Sequence, residues 1–263
     1  MHGIEPPDPP IFLFHPKSVY YMAHSLFISD LHLCVEQTQS TKEFLQFIQQ
    51  TAPKAETLYI LGDLFEYWAG DDDINNPLHC QIADALHGLS SNGTDIHIMH
   101  GNRDLLIGQK FAQACGAKLL NDPVLINLYH TPTLLTHGDI LCTDDIDYQN
   151  MRKKIHDPVF QQHFLSQPLA QRKEHIAQLR ERSKNAQKHK SEEIMDTNLE
   201  AVMDLLRSHH YPRLIHGHTH RPKRHLHTVD GHECERWVLG DWQTAGNFLR
   251  CDEAGCSWQT ITF

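Results

Sequence analysis

No stretch of this 263-residue chain approaches the roughly 18 consecutive apolar residues needed to cross a bilayer, and its N-terminus lacks the basic-then-apolar pattern of a secretion signal. The sequence therefore reads as soluble or, at most, resident on a membrane surface. C-x-x-C pairs are also absent: Cys34, Cys80, Cys115, Cys142, Cys234, Cys251 and Cys256 are scattered and odd in number. That argues against a zinc ribbon or a redox dithiol and predicts reduced thiols in a cytosolic protein. Basic charge is scarce too, 23 Lys and Arg against 33 Asp and Glu, for a formal net charge of −10. General nucleic-acid binding would call for a basic face instead. No internal repeat or low-complexity tract is evident.

What the chain has in excess is histidine, 22 residues, so only placement can promote a few of them to a chemical role. The opening MHGIEPPDPP is proline-rich, and a clean strand pattern begins only after Met22. Residues 1–21 are expected to be a disordered extension, with Met22 as the natural start and one domain over 22–263. From Met22 to about Leu141 the runs LFISD, TLYILGD, DIHIMHGN and PTLLTHGD alternate with helix-period stretches near 40–50 and 78–90, an α/β pattern. Residues 144–208 turn polar and helical, which reads as an insertion or lid. Between Arg152 and Lys190 ten Lys and Arg face only Asp157, Glu174 and Glu181. Strand patterns return at PRLIHGHTHRP, and the runs near 224–229, 235–240 and 257–262 are expected to complete a second sheet.

Five clusters carry the chemistry: Asp30-x-His32, Gly62-Asp63, Gly101-Asn102-Arg103-Asp104, His137-Gly138-Asp139 and Gly217-His218-Thr219-His220. Each follows a β-type run, and in open α/β sheets strand ends face the ligand crevice. One such cluster is ordinarily a turn or a cap; five in one chain point to a site. Carboxylates, imidazoles and an amide without a thiolate suit a pair of divalent cations about 3.5–4 Å apart.

The set resembles the calcineurin-like metallophosphoesterases, whose motifs run in this order, and the match spans Asp30 to His220. The resemblance implies an α/β fold of two mixed β-sheets sandwiched between helices. It also implies that Asp30, His32 and His220 hold one metal and Asn102, His137 and His218 the other, with Asp63 bridging. Two Mn²⁺ per chain fit the donors, with Fe²⁺ or Co²⁺ as competitors. Asp63, Asn102, Arg103 and His137 would form the catalytic set. Many relatives have His where this chain has Arg103, as proton donor to an alkoxide. A phosphate monoester, with a pKa of about 6, leaves without an acid, so arginine there points to a pyrophosphate bond. A bland alternative is that Arg103 only pairs with a nearby carboxylate.

FISDLHLCVE, LYILGDLFEYWAGDDD, HGNRDLLIG, THGDILCTDDIDYQ, IMDTN and LIHGHTHRP resemble the UDP-2,3-diacylglucosamine diphosphatases of the lipid A pathway, over nearly the whole chain after Met22. That resemblance implies water attack on the α-phosphorus of a lipid-linked UDP sugar. Substrate contacts would be Asn102, Arg103, Asp145, Ser183, Lys190 and His218, with Gln187 where the family commonly has Asn. Asp145 and Ser183 could equally cap helices. Phe160, Phe164, Leu165, Leu169, Ile176 and Leu179 recur at helical spacings beside the basic excess. That reads either as a lipid-facing surface or as core packing. Trp68 reads as buried more than lipid-facing. The implied location is the cytoplasm, peripheral at the inner face of the inner membrane, with no nucleic-acid partner and no obligate protein partner. Alternatives are another dinuclear nucleotide pyrophosphohydrolase, which needs no amphipathic lid, or a non-catalytic scaffold on the same fold, which intact ligands disfavour.

Overall fold

The computed structural model describes residues 23–187, 194–242 and 246–261. The expected extension over 1–21 lies outside them. The first sheet comprises β1 (Ser25–Ile28), β2 (Thr57–Leu61), β3 (Asp95–Met99), β4 (Ala117–Leu120), β10 (Asn247–Asp252) and β11 (Gly255–Thr260) in the order β11-β10-β1-β2-β3-β4. β1 to β4 run parallel and β10 antiparallel to β1. The second sheet has the order β5-β6-β7-β9-β8, from β5 (Val124–Leu128), β6 (Thr131–Thr136), β7 (Arg213–His216), β8 (Lys223–Val229) and β9 (His232–Val238). The fold is the expected sandwich of two mixed sheets between helices. One detail is corrected: the run near 257–262 belongs to the first sheet, because β11 folds back on β10 and not on the β8–β9 hairpin.

Alternate residues of each strand serve different layers, which is why the strands read as continuous apolar runs. Leu26, Ile28, Leu58, Ile60, Ile96 and Ile98 face an outer layer of helices α1 (Thr38–Gln50), α2 (Pro77–Ser91) and α3 (Gln109–Cys115). Phe44, Phe47 and Ile48 supply the apolar stripe of α1 at helical spacing. Phe27, Met99, Leu128, Leu135, Ile215, Trp237 and Leu249 fill the space between the sheets. On the far side, Leu134 and Leu214 meet Val202 and Leu206 of α7 (Leu199–Ser208). Trp68 is buried in the layer between the first sheet and α1 to α3, its ring tilted against Phe65 and His79 and edge-on to Phe111.

Between β6 and α7 run α4 (Ile146–Ile155), α5 (Pro158–Leu165) and α6 (Leu169–Gln187). α6 is tied to the loop after β2. Arg172 pairs with Asp72 and donates to the Ala69 carbonyl, Lys173 Nζ lies 2.6 Å from Asp73 Oδ1, and Arg180 Nη2 lies 2.6 Å from Glu66 Oε1. Residue 172 adjoins 173, and 180 follows 173 by two helical turns, so the three lie on one side of the helix. Of the expected apolar stripe, Phe164 is buried against Phe160 and His175, whereas Leu165 and Leu179 are exposed.

The expectation of seven reduced thiols is also corrected. Cys251 and Cys256 form a disulfide, because the β10–β11 register places them directly opposite, 4.1 Å apart at Cα. Cys34, Cys80, Cys115, Cys142 and Cys234 are free.

Candidate metal centre and active site

All five motifs sit just beyond the C-terminal ends of strands: Asp30 and His32 after β1, Asp63 after β2, Asn102 and Arg103 after β3, His137 after β6, His218 and His220 after β7. The two sheets thus bring their strand ends to one edge. Asp30, His32, Asp63, His218 and His220 all adopt positive φ, between 51° and 69°. Such residues cost about 1–3 kcal/mol each and persist only where surrounding structure dictates them. Here the restraint is visible. The amides of Asp30, His32 and Leu33 donate to the carbonyls of Gly62, Asp63 and Leu64 at 3.0–3.1 Å, lacing the first motif to the second. Asp104, fully buried, accepts from the amides of Asp63, Leu64, Phe65 and Gly101 at 2.8–3.3 Å. Gly62, at φ +91°, could not carry a side chain: a Cβ there would lie 2.6 Å from His137 Nδ1 and 2.7 Å from the Gly101 backbone.

Two groups of potential ligand atoms result, Asp30 with His32 and His220, and Asp30 with Asp63 and His137; within each, the atoms lie within 4.8 Å of one another. Asp63 Oδ2 stands 3.9 Å from His32 Nε2 and 3.8 Å from His137 Nε2, a bridging position, and Asp30 also reaches both groups. Asn102 Oδ1 is 3.1 Å from His137 Nε2, and the His218 ring packs 5.1 Å from that of His137. The structure therefore gathers all seven expected metal residues.

The imidazoles are oriented from behind. Nδ1 of His137 meets the Leu61 carbonyl at 2.9 Å, that of His32 meets Glu66 Oε2 at 3.0 Å, and that of His220 meets Asp241 Oδ2 at 3.1 Å. Each acceptor holds a proton on Nδ1 and leaves Nε2 facing inward, the arrangement typical of metal-ligating histidine. The residues fit divalent cations on a second count as well. Asp30 Oδ1 is buried without a satisfying hydrogen bond, and the His32 and His220 Nε2 atoms face each other at 3.3 Å.

Protons occupy this electrostatic role when metal is absent. Burial pushes the His137 imidazole down, but Asp63, Asp30 and Asp139 outweigh it and raise its pKa to about 9. His220, also opposed by burial, is raised to about 10 by the neighbouring carboxylates of Asp241 and Asp30. Burial, reinforced by Asp104 and Asp30, pushes the Asp63 carboxyl up to about 6 despite His137 and His32. Burial and the neighbouring His137 hold His218 down at about 4.

Arg103 sits at the rim, a quarter exposed, with Nη1 3.8 Å from Glu66 Oε1 and its amide donating to Asp63 Oδ1 at 2.8 Å. Glu66 is engaged more closely by Arg180 and His32, so the carboxylate contact does not account for the guanidinium. Asp145 caps α4, accepting from the Tyr148 amide at 3.1 Å. Ser183 is half-buried within α6 and does not cap it. Lys190 and the Gln187 side chain lie outside what the structure describes.

Several residues of the site were not legible as such. Glu66 and Asp241 orient two ligands, and Asp139 receives Tyr148 Oη at 2.9 Å and Arg152 Nε at 2.7 Å, tying α4 to the H-G-D loop. Asp241 carried a signal: Gly240-Asp241 closes the apolar end of β9 as Gly62-Asp63 closes β2.

A family model for calcineurin-like phosphoesterases matches residues 23–222. The chain belongs to that family. The resemblance drawn from the motifs is borne out in finer detail by its curated relatives. It is 52% identical over 231 residues to the UDP-2,3-diacylglucosamine hydrolase of Aromatoleum aromaticum, covering 88% of this chain and 94% of that one. It is 47% identical to the proteins of that name from Edwardsiella ictaluri and Hahella chejuensis, again over 88% of this chain and over 89% and 94% of theirs.

Proposed function

We propose that this phosphoesterase hydrolyses the pyrophosphate bond of UDP-2,3-diacylglucosamine by water attack on the α-phosphorus. The products are UMP and 2,3-diacylglucosamine 1-phosphate (lipid X), a step of lipid A biosynthesis. The observation that carries the reading is the function named for relatives 47–52% identical over 88% of the chain, joined to a site holding every expected ligand type. Divalent cations, Mn²⁺ by donor preference, would lower the pKa of water and neutralise phosphoryl oxygens when bound between Asp30, His32, Asp63, Asn102, His137, His218 and His220. The chain's own residues do the rest. Glu66, Asp241 and the Leu61 carbonyl fix the imidazoles in one tautomer, so the diphosphate meets a preorganised edge. Arg103 supplies a planar fork of donors to phosphate oxygens as charge moves onto the leaving phosphate, which departs without a general acid. The lid residues Asp145, Ser183, Gln187 and Lys190 would hold the acylated sugar.

Membrane contact belongs to the same reading. Among the described residues no helix is long and apolar enough to cross a membrane. Arg152, Arg172, Lys173 and Arg180 are neutralised by carboxylates of the body. α4 and α5 leave Ile146, Met151, Val159 and Leu165 exposed, among Lys153 and Lys154 and the carboxylates of Asp147 and Asp157, an apolar patch suited to peripheral association with the inner face of the inner membrane. The test is turnover, by the Mn²⁺-loaded protein, of UDP-2,3-diacylglucosamine against UDP-N-acetylglucosamine and diadenosine tetraphosphate. Preference for the lipid supports the reading; equal or better turnover of either soluble compound would make this a soluble-nucleotide pyrophosphohydrolase.

A further inference from the structure

A cavity of about 340 Å³ opens beside the Asn102–His137 half of the site. Its walls come from His100 and Gly101 after β3, Leu119 and Leu120 at the end of β4 with Asn121 and Asp122 beyond it, Asp139, and His156 at the C-terminal cap of α4. Gly101 directly precedes Asn102 and Asp139 follows His137 by two residues, so the cavity borders the place of the phosphates. The loop carboxylates that anchor α6, namely Glu66, Asp72 and Asp73, do not line it.

Its distinguishing chemistry is a pair of carboxylates, Asp122 and Asp139, set among the amides of Gln109 and Asn121 and the imidazoles of His100 and His156. Asp139, only 2% exposed, gives Oδ2 to Tyr148 and Arg152, while its buried Oδ1 has no donor among the described residues. Asp122 accepts the His137 amide through Oδ2 at 3.4 Å, and its Oδ1 is likewise buried and, among the described residues, without a donor. Two carboxylates in one cavity repel an anion, and acyl chains would leave both oxygens unsatisfied. A neutral group rich in O–H and N–H satisfies them. Uridine has two vicinal hydroxyls and an imide N–H on a compact body that suits a pocket of this size, for which ligand sites start at about 300 Å³. The glucosamine also has hydroxyls, but it would have to bring two acyl chains with it. Carboxylates accept ribose hydroxyls in this way in dinucleotide-binding folds.

Resting on the proposed substrate, we infer that this cavity is the nucleoside subsite, with Asp122 and Asp139 accepting the ribose hydroxyls of the UMP half. The acylated sugar then lies away from it, towards the lid.

The test is calorimetric titration of the Mn²⁺-loaded protein with UMP, with 2′,3′-dideoxy-UMP, with glucosamine 1-phosphate and with inorganic phosphate. Wild type should bind UMP tenfold or more tightly than the dideoxy analogue, the scale of a hydrogen bond to a charged acceptor. In Asp122→Asn that preference should shrink several-fold while phosphate binding is unchanged, which also shows the variant folded. Equal affinity of wild type for UMP and the dideoxy analogue, no UMP binding, or a variant that loses glucosamine 1-phosphate instead would each overturn the assignment. If the lipid is hydrolysed but the ribose hydroxyls make no difference, only the subsite fails. If they matter but no lipid is turned over, the substrate reading fails and the nucleoside cavity stands.

Discussion

Asp104 offers a sharp test of how the site is held. It was visible only as the fourth residue of a motif, yet its fully buried carboxylate collects four backbone amides. Oδ1 serves Asp63 and Gly101, while Oδ2 serves Leu64 and Phe65. Asp104→Asn keeps the shape but replaces one oxygen by an NH₂ group, orphaning one pair of amides and pointing a donor at them. At about 1–3 kcal/mol per orphaned buried group, the loss should be about 2–6 kcal/mol. That is a large part of the 5–15 kcal/mol typical of a folded domain. Urea unfolding of the metal-free protein, followed by tryptophan fluorescence, reads it directly. Because the amides belong to Asp63 and its neighbours, Mn²⁺ affinity should fall at least tenfold in the same variant. A stability loss under about 1 kcal/mol with unchanged metal affinity would refute the claim that Asp104 organises the two loops.

Asp63→Ala should reduce bound Mn²⁺ from two ions to at most one, measured by equilibrium dialysis, and abolish turnover; two ions with full activity would dismiss the bridging role. The metal-free protein should lose thermal stability with rising pH. His137 and His220 have folded pKa values of about 9 and 10, so their contribution is complete below about pH 6.5 and lost as pH rises through 9 to 10. The loaded protein should show little of this decline and should release protons on metal uptake near neutral pH. A flat metal-free melting profile from pH 6.5 to 10 would contradict it. Arg103→Ala should lower kcat on the order of 10²-fold and Arg103→His should restore little; wild-type rates in either variant would make Arg103 peripheral.

The strands that carry the site were legible because β1, β2, β3, β6 and β7 are buried on both faces and stop at polar residues. Others were not, for identifiable reasons. β4 (AKLL) and β5 (VLINL) are short and half-buried, and β10 (NFLRCD) mixes charge into its run. α3 has only seven residues between Gly108 and Gly116, too few for a periodic signal. Partner choice is not a local property either, which is why β11 was expected in the other sheet and why the Cys251–Cys256 pair went unread. The basic excess between Arg152 and Lys190 is right as a count and incomplete as a surface: Arg172 is buried, donating to the Ala69 and Gln167 carbonyls and paired with Asp72, 100 residues earlier. Metal ligands announce themselves by type and spacing. The groups that orient them, such as Glu66 and Asp241, become visible only in three dimensions.

Water is expected to attack the α-phosphorus of a lipid-linked UDP sugar. Hydrolysis of UDP-2,3-diacylglucosamine by the Mn²⁺-loaded protein in ¹⁸O-water, with mass analysis of both products, tests it most directly. UMP should carry one ¹⁸O and 2,3-diacylglucosamine 1-phosphate should be unlabelled. Label in the sugar phosphate, or an intact substrate in the presence of bound metal, would contradict it.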